Sequence, residues 1–207
     1  QILAAATLVV VEDLYRPYRP KRRTRATIAK EKGLEPLADL ILLQAVKRPL
    51  EEEAKAFLSA EKEVPTVEDA LAGAGDILAE RISDEADFRI RIREMTFSQG
   101  RILSAAKDPE AESPYEKYYD FEERVSKLAG HQTLALNRAE KEKFLTVKIA
   151  APEEEILRYL RKRVVRGDNR YTTPFLEAVI EDSYRRLIAP AIEREIRNAL
   201  TEKAEDS

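Results

Sequence analysis

Residues 173–205, TPFLEAVIEDSYRRLIAPAIEREIRNALTEKAE, determine the fold class. Apolar side chains recur there every three or four residues from Leu176 to Leu200, which is the period of one face of an α-helix. About thirty residues of helix span roughly 45 Å, which is long for a domain core and typical of a strut between domains. Pro190 lies inside this pattern and predicts a kink or a split, because proline cannot donate a helical hydrogen bond.

Helical spacing also occurs upstream. We predict seven further helices, at residues 2–15, 37–48, 50–60, 67–82, 84–99, 116–128 and 152–166. Thr66 and Asp69 resemble a capping box, with Asp where Glu or Gln is usual. Gly73 and Gly75 weaken the helix that follows by roughly 1 kcal/mol each relative to alanine. We therefore expect them to allow a close approach between helices.

Two short segments alternate as strands do. Gln132–Leu136 and Phe144–Ile149 are predicted to form a hairpin, with the charged run Arg138–Lys143 as its link. The expected fold is mainly α: a multi-helix scaffold with one small β-hairpin and a long C-terminal helix. We expect residues 1–207 to be one helical region, a fragment of a larger multidomain protein. It is either undivided or subdivided into helices at 1–110 and the hairpin plus long helices at 111–207.

The composition restricts the function classes. The chain has 207 residues, of which 43% are hydrophobic and 36% are charged, and its formal net charge is -3. The hydrophobic fraction allows a packed core, and the high charge favours long helices with solvated faces. Since there is no cysteine, disulfides, thiolate metal ligands and cysteine nucleophiles are excluded, and we expect a cytoplasmic protein. No apolar run approaches the roughly 18 residues of a membrane span, and there is no signal peptide.

A basic segment lies near the beginning of this faintly acidic chain. Its cations and aromatic residues are Tyr15, Arg16, Tyr18, Arg19, Lys21, Arg22, Arg23 and Arg25. Pro17 and Pro20 predict an extended or turned backbone there. Such a segment can contact the phosphates of RNA or DNA and stack bases on its tyrosines. It can instead pin helical layers together through ion pairs, which we favour slightly, or bind a protein such as RNA polymerase.

Several longer motifs resemble the Tex family of bacterial transcription accessory proteins. They are DLYRPYRPKRRTRATIAKEKGLEP (13–36), VEDALAGAGDILAERISD (67–84), KYYDFEE (117–123), HQTLALNRAEKEKFL (131–145) and YRRLIAPAIEREIRNALTEKAE (184–205). These motifs occur in the family's order and extend over nearly the whole chain. One departure is Ala139, where the family often has glycine. Alanine disfavours a tight glycine turn in the predicted hairpin.

The resemblance implies a place in a larger protein. Full-length Tex-like proteins carry an early helical region, an RNase-H-like domain of the YqgF type, helix-hairpin-helix segments and a C-terminal OB-fold that binds RNA. The chain resembles the helical part that ends just before the RNase-H-like domain. Its intramolecular partner domains are therefore expected outside this fragment. The implied external partners are RNA, DNA or the transcription machinery, and no membrane.

No catalytic or metal-binding motif is visible, and we expect no cofactor. The glutamate triplets at 51–53 and 153–155 lie at predicted helix starts, where carboxylates complement the helix dipole. His131 is the only histidine, so a zinc site would lack ligands, and we expect it to make a local hydrogen bond at the entry of the first predicted strand. Gly73 and Gly75 form no phosphate-binding loop, because no Lys-Ser/Thr pair follows them.

Two further basic clusters lie at 158–163 and 182–186. Both have acidic neighbours on predicted helices, so we interpret them as paired surface charge.

The sequence thus predicts a non-enzymatic helical scaffold of a Tex-like protein. It would position RNA- or DNA-binding modules and contact nucleic acid through the basic segment. The alternative is a protein-interaction module for RNA polymerase or another partner, without nucleic-acid contact. A nuclease is a third class, but it requires metal-binding carboxylates at strand ends, and the predicted strands lack them.

Overall fold

The computed structural model describes Val10 and residues 23–206. In this part of the chain, eight helices and one three-stranded antiparallel sheet confirm the mainly α class. The helices are α1 (Arg25–Glu31), α2 (Glu35–Leu43), α3 (Leu50–Ala54), α4 (Val67–Asp84), α5 (Ala86–Gln99), α6 (Gly130–Lys141), α7 (Glu153–Val164) and the composite α8. The strands are β1 (Arg101–Ala106), β2 (Asp120–Arg124) and β3 (Leu145–Ala150). Of the predicted helix at 2–15 only Val10 is described, and it is helical; the other residues of that prediction lie outside the described part of the chain.

The C-terminal helix α8 is 34 residues long. It consists of Thr172–Asp182, a π-helical segment at Ser183–Ile188, and Ala189–Glu205. The chain stays helical through Pro190, so the helix is not split there. The π segment changes the hydrogen-bond pattern immediately before the proline, which cannot donate a bond to the preceding turn.

The described chain forms two compact units, each built from separate stretches. The helical unit comprises residues 23–88 and 157–189, and it contains α1–α4 and the first part of α8. The sheet unit comprises residues 89–156 and 190–206, and it contains the sheet, α6 and the last part of α8.

Helix α4 supplies much of the core of the helical unit. Its N-cap Thr66 accepts a hydrogen bond from the amide of Asp69, as the capping motif predicts. A β-carbon at Gly73 would lie 2.3 Å from Leu34 Cδ1 and 3.2 Å from Ala29 Cβ, so Gly73 confirms the expected close approach. A β-carbon at Gly75 would be 3.5 Å from the nearest side-chain atom, which is ordinary contact.

The sheet has the order β2-β1-β3, and this corrects the predicted hairpin. The second predicted strand is present as β3, but it pairs with β1, where Ile102 lies opposite Ile149. The first predicted strand, Gln132–Leu136, is wrong because these residues belong to α6. Burial of Thr133, Leu136 and Ala139 explains the difference, since their spacing of three places them on one helix face.

The predicted helix at 116–128 is also wrong. The chain there forms a 3-10 turn at Glu116–Tyr118, then β2, then a second 3-10 turn at Val125–Lys127. Strand β2 pairs with β1 only, so it is an edge strand of the described sheet. Its charged sequence, DFEER, is compatible with an edge, because charges there oppose pairing with other chains.

A buried cluster of charges stabilises the sheet unit. The carboxylate of Glu195 accepts from Arg93 Nε at 3.2 Å and from Arg93 Nη2 at 3.0 Å. Its other oxygen lies 3.5 Å from Arg89 Nη2. The side chains of Arg89, Arg93 and Glu195 are only 1%, 11% and 14% exposed, so water screens these contacts weakly.

Candidate nucleic-acid interface

Only the end of the basic segment is described. Arg23 and Arg25 are in place, and both are exposed. The other predicted binding residues lie outside the described residues: Tyr15, Arg16, Tyr18, Arg19, Lys21 and Arg22. The proposed interface can therefore be followed at its C-terminal end, where the segment enters α1.

Arg23 forms an exposed ion pair beside α1. Its Nη1 lies 2.7 Å from Glu31 Oε1, and the two side chains are 64% and 52% exposed. Pairs with this exposure contribute about 0–1 kcal/mol, so a phosphate can replace the glutamate at little cost. The next residue, Thr24, caps α1 by accepting from the Thr27 amide. It also donates to Glu80 Oε2 at 2.8 Å, which ties the segment's end to α4.

The positive charge of Arg25 affects the pKa of two carboxyl groups in the helical unit. Burial raises the pKa of Asp76, and the positive charges of Arg186 and Arg25 oppose that rise. The hydrogen bonds from Arg186 are the main cause that lowers the pKa of Asp182, and Arg25 lowers it further. Arg25 therefore already balances negative charge within the helical unit, as a packing role requires.

The predicted pairing of the clusters at 158–163 and 182–186 is confirmed for Arg161, Arg185 and Arg186, but it is wrong for Lys162 and Arg163, which form no ion pair with a described residue. Arg161 Nε lies 2.9 Å from Glu177 Oε2, and Arg186 Nη2 lies 2.8 Å from Asp182 Oδ2. A longer pair of 3.7 Å joins Arg185 Nη1 to Glu181 Oε2.

A different basic surface, at the C-terminal end of α7, was not predicted. The α7 surface consists of Lys47, Lys162, Arg163, Arg166 and Arg170, which are all exposed. The sequence carried a signal for it, since residues 158–170 contain six cations and one acidic residue. The sequence analysis interpreted the cations up to residue 163 as paired with acidic neighbours on their helix, and it did not consider Arg166 and Arg170.

The sheet unit contains a polar groove of about 610 Å³. Thr201 Oγ1 accepts from Asn137 Nδ2 at 2.8 Å, and Arg197 Nη2 donates to Asn137 Oδ1 and to Glu140 Oε1. Glu193, which also lines the groove, accepts from the Ile149 amide at 2.6 Å. These groups form hydrogen bonds with one another, so the lining of the groove is a network that links α6, β3 and α8.

The predicted carboxylate positions have structural roles. In the first triplet, Glu52 pairs with Lys55 at 2.9 Å and Glu53 with Arg48 at 2.6 Å. His131 is exposed in the first turn of α6, so its predicted place at a strand entry is wrong. Within the described residues, no group of three or more histidine, aspartate or glutamate side chains is placed to hold a metal ion. No described helix combines the length and apolar character needed to cross a membrane.

Comparison with known proteins identifies the family. Residues 46–207 match the family model for the Tex central region. The chain is 49% identical over its whole length to the uncharacterized protein YdcI of Bacillus subtilis. Over 72% of its length it is 40% identical to Protein tex of Bordetella pertussis, and over 71% it is 36% identical to the transcriptional accessory protein Tex of Neisseria gonorrhoeae.

The chain spans only part of these relatives. It covers 29% of the Bacillus protein and 19% of each of the other two. The matched region includes the sheet, α4 and the whole of α8. With this match over more than half of its residues, the chain belongs to the Tex family, to whose central region it is similar.

Proposed function

We propose that this chain is the helical scaffold of a Tex-like transcription accessory protein, and that it positions RNA- or DNA-binding modules. The observation that carries the proposal is that α8 has buried apolar residues in both units. Its first part buries Leu176 and Ile180 in the helical unit, and its last part buries Ile196 and Leu200 in the sheet unit. One continuous helix thus supplies core residues to both units, which suits a structural role.

The basic segment supplies the proposed nucleic-acid contact. Arg23 is exposed and held only by a surface pair, so it can exchange Glu31 for a phosphate oxygen. Arg25 is close enough to Asp76 and Asp182 to influence their pKa values, which favours a structural role for this arginine. We therefore expect the contact to be strongest before residue 25.

A reversal of charge tests the contact. The variant Arg22→Glu/Arg23→Glu should weaken the binding of a labelled single-stranded RNA, because two phosphate contacts are lost. Binding is measured by gel shift from 50 to 300 mM salt, since each lost contact should reduce the salt slope by about 0.7. If affinity and slope stay unchanged, the segment does not contact nucleic acid, and the protein-interaction alternative gains support.

We also propose that the region is not catalytic. The name of the Neisseria gonorrhoeae relative, a transcriptional accessory protein, supports a transcription-related role for the family. A nuclease assay of the chain with Mg²⁺ or Mn²⁺ should show no cleavage. Cleavage that one carboxylate substitution abolishes would contradict this.

A further inference from the structure

We propose that the α7 surface is a second nucleic-acid site, which binds the phosphate backbone. It differs from the basic segment in sequence and in its supporting contacts. The inference rests on the proposed function only in taking nucleic acid as the partner.

The cations at the end of α7 lie close together along the chain. Lys162 and Arg163 are in the last turn of α7, and Arg166 follows two residues after the helix ends at Val164. The amide of Val165 still donates to the carbonyl of Arg161 at 2.9 Å, so the helical turn continues to this point. Leu160 is fully buried, whereas the side chains of Lys162, Arg163 and Arg166 are exposed to solvent.

Hydrogen bonds tie the loop after α7 to the segment before α3, and each of these two segments carries one further cation. Arg166 Nη2 donates to the Leu42 carbonyl at 3.0 Å, and the Arg166 amide donates to Gln44 Oε1 at 2.7 Å. Asn169 Nδ2 donates to the Val46 carbonyl at 3.0 Å. Lys47 and Arg170 each follow one of these anchored residues, so the backbone beneath both cations is fixed. A fixed backbone reduces the entropy lost when a ligand binds.

These cations remain available to a ligand. Among the described residues, no carboxylate lies within ion-pair distance of any side chain of the α7 surface, whereas the nearby Arg48 pairs with Glu53. Arg163 lies over the rings of Phe88 and Tyr159, at 5.7 and 5.8 Å from their centroids. A guanidinium stacked on a ring keeps N–H groups at its edge for a phosphate.

The charge balance favours nucleic acid over a protein partner. Asp168 is the one acidic residue within 158–170, where the sequence has six cations. Nucleic acid offers a regular row of phosphates, so several of these cations can act together. Leu43, which is 67% exposed and follows the carbonyl acceptor of Arg166, is the feature that a protein partner would cover instead.

The test is a charge reversal in the 207-residue chain. The variant Lys162→Glu/Arg166→Glu/Arg170→Glu is compared with Lys141→Glu/Lys143→Glu/Lys203→Glu, which makes the same charge change at exposed sites of the sheet unit. The probes are fluorescein-labelled 20-nucleotide oligo-U RNA and oligo-dT DNA, followed by anisotropy from 50 to 300 mM KCl.

We expect the α7 variant to lose three contacts. For single strands each phosphate contact contributes about 0.7 to the slope of log affinity against log salt. The loss of three contacts should therefore reduce the magnitude of the slope by about 2, and it should lower the affinity at 0.1 M salt about 100-fold. The control should keep both values close to those of the unmodified chain. Because Arg166 also supports the loop, Lys47→Glu/Lys162→Glu is a second variant that leaves those hydrogen bonds intact, and its slope should change by about 1.4.

Unchanged affinity and slope in both α7 variants would overturn this proposal and leave the scaffold function standing. An equal loss in the control would assign the effect to net charge and also overturn it. Loss of RNA polymerase binding at unchanged RNA affinity would assign the surface to a protein. If the basic-segment variant binds RNA as the unmodified chain does while the α7 variants lose affinity, only the contact proposed for the basic segment is overturned.

Discussion

Removing the carboxylate of Glu195 should destabilise the sheet unit more than any exposed ion-pair substitution. In Glu195→Gln the shape is kept, but the side chain no longer offers a negative charge to Arg93 and Arg89. Both arginines are nearly buried, at 11% and 1% exposure, so water cannot replace the lost charge. Breaking a buried ion pair from one side costs about 3–5 kcal/mol. For a protein of this size that corresponds to a Tm lower by roughly 6–20 °C.

The matched control is Glu177→Gln, which removes the carboxylate from the exposed pair with Arg161. These side chains are 44% and 56% exposed, and such pairs contribute about 0–1 kcal/mol. Thermal and urea unfolding followed by circular dichroism measure both variants. If Glu195→Gln loses no more stability than the control, the buried cluster does not stabilise the unit in the way argued above.

Two further predictions follow from local geometry. Gly73→Ala should lower the Tm because its new β-carbon meets buried Leu34. Gly75→Ala should raise the Tm slightly, because the better helix propensity of alanine adds up to about 1 kcal/mol to the free energy of unfolding. Equal effects of the two substitutions in thermal unfolding would contradict this. Asp182 has a pKa below its ordinary value of 3.8, mainly because Arg186 donates to it, so it stabilises the fold above that pH and loses this contribution as the pH falls through the folded pKa. Asp182→Asn should therefore flatten the acid limb of a stability–pH curve, and an unchanged limb would refute the assignment.

Helices with strong local signals could be predicted from the sequence. The pattern after Thr66 predicted α4 nearly to its ends, and the stripe from Leu176 to Leu200 predicted α8. In both helices the spacing of apolar residues matches the buried face. The expected effect of Pro190 was only partly correct, because the preceding π segment allows the helix to continue.

The sheet could not be predicted because its pairing is non-local. Strand β1 was missed, and β2 was taken for part of a helix bearing Tyr119, Val125 and Leu128. Only pairing with β1, as between Leu103 and Glu122, fixes β2 as a strand. The segment at Gln132 shows the opposite error, since alternation over five residues is compatible with a helix as well as a strand.

The candidate sites show the same division. The run of cations in the basic segment could be recognised in the sequence. Only the fold brings Glu31 to Arg23, and only the fold brings Asp76 and Asp182 near enough to Arg25 for its charge to lower their pKa values. The α7 surface depends on Asn169, whose hydrogen bond to Val46 brings Lys47 close across more than a hundred residues of sequence. No local pattern indicates such a contact.

The most direct test of the central claim is the salt dependence of RNA binding by the unmodified 207-residue chain. An anisotropy titration with oligo-U RNA at several KCl concentrations gives the slope of log affinity against log salt. At least three phosphate contacts are expected, so the slope should be about −2 or steeper. Absence of binding at 50 mM salt, or a slope near zero, would contradict a nucleic-acid contact by this scaffold.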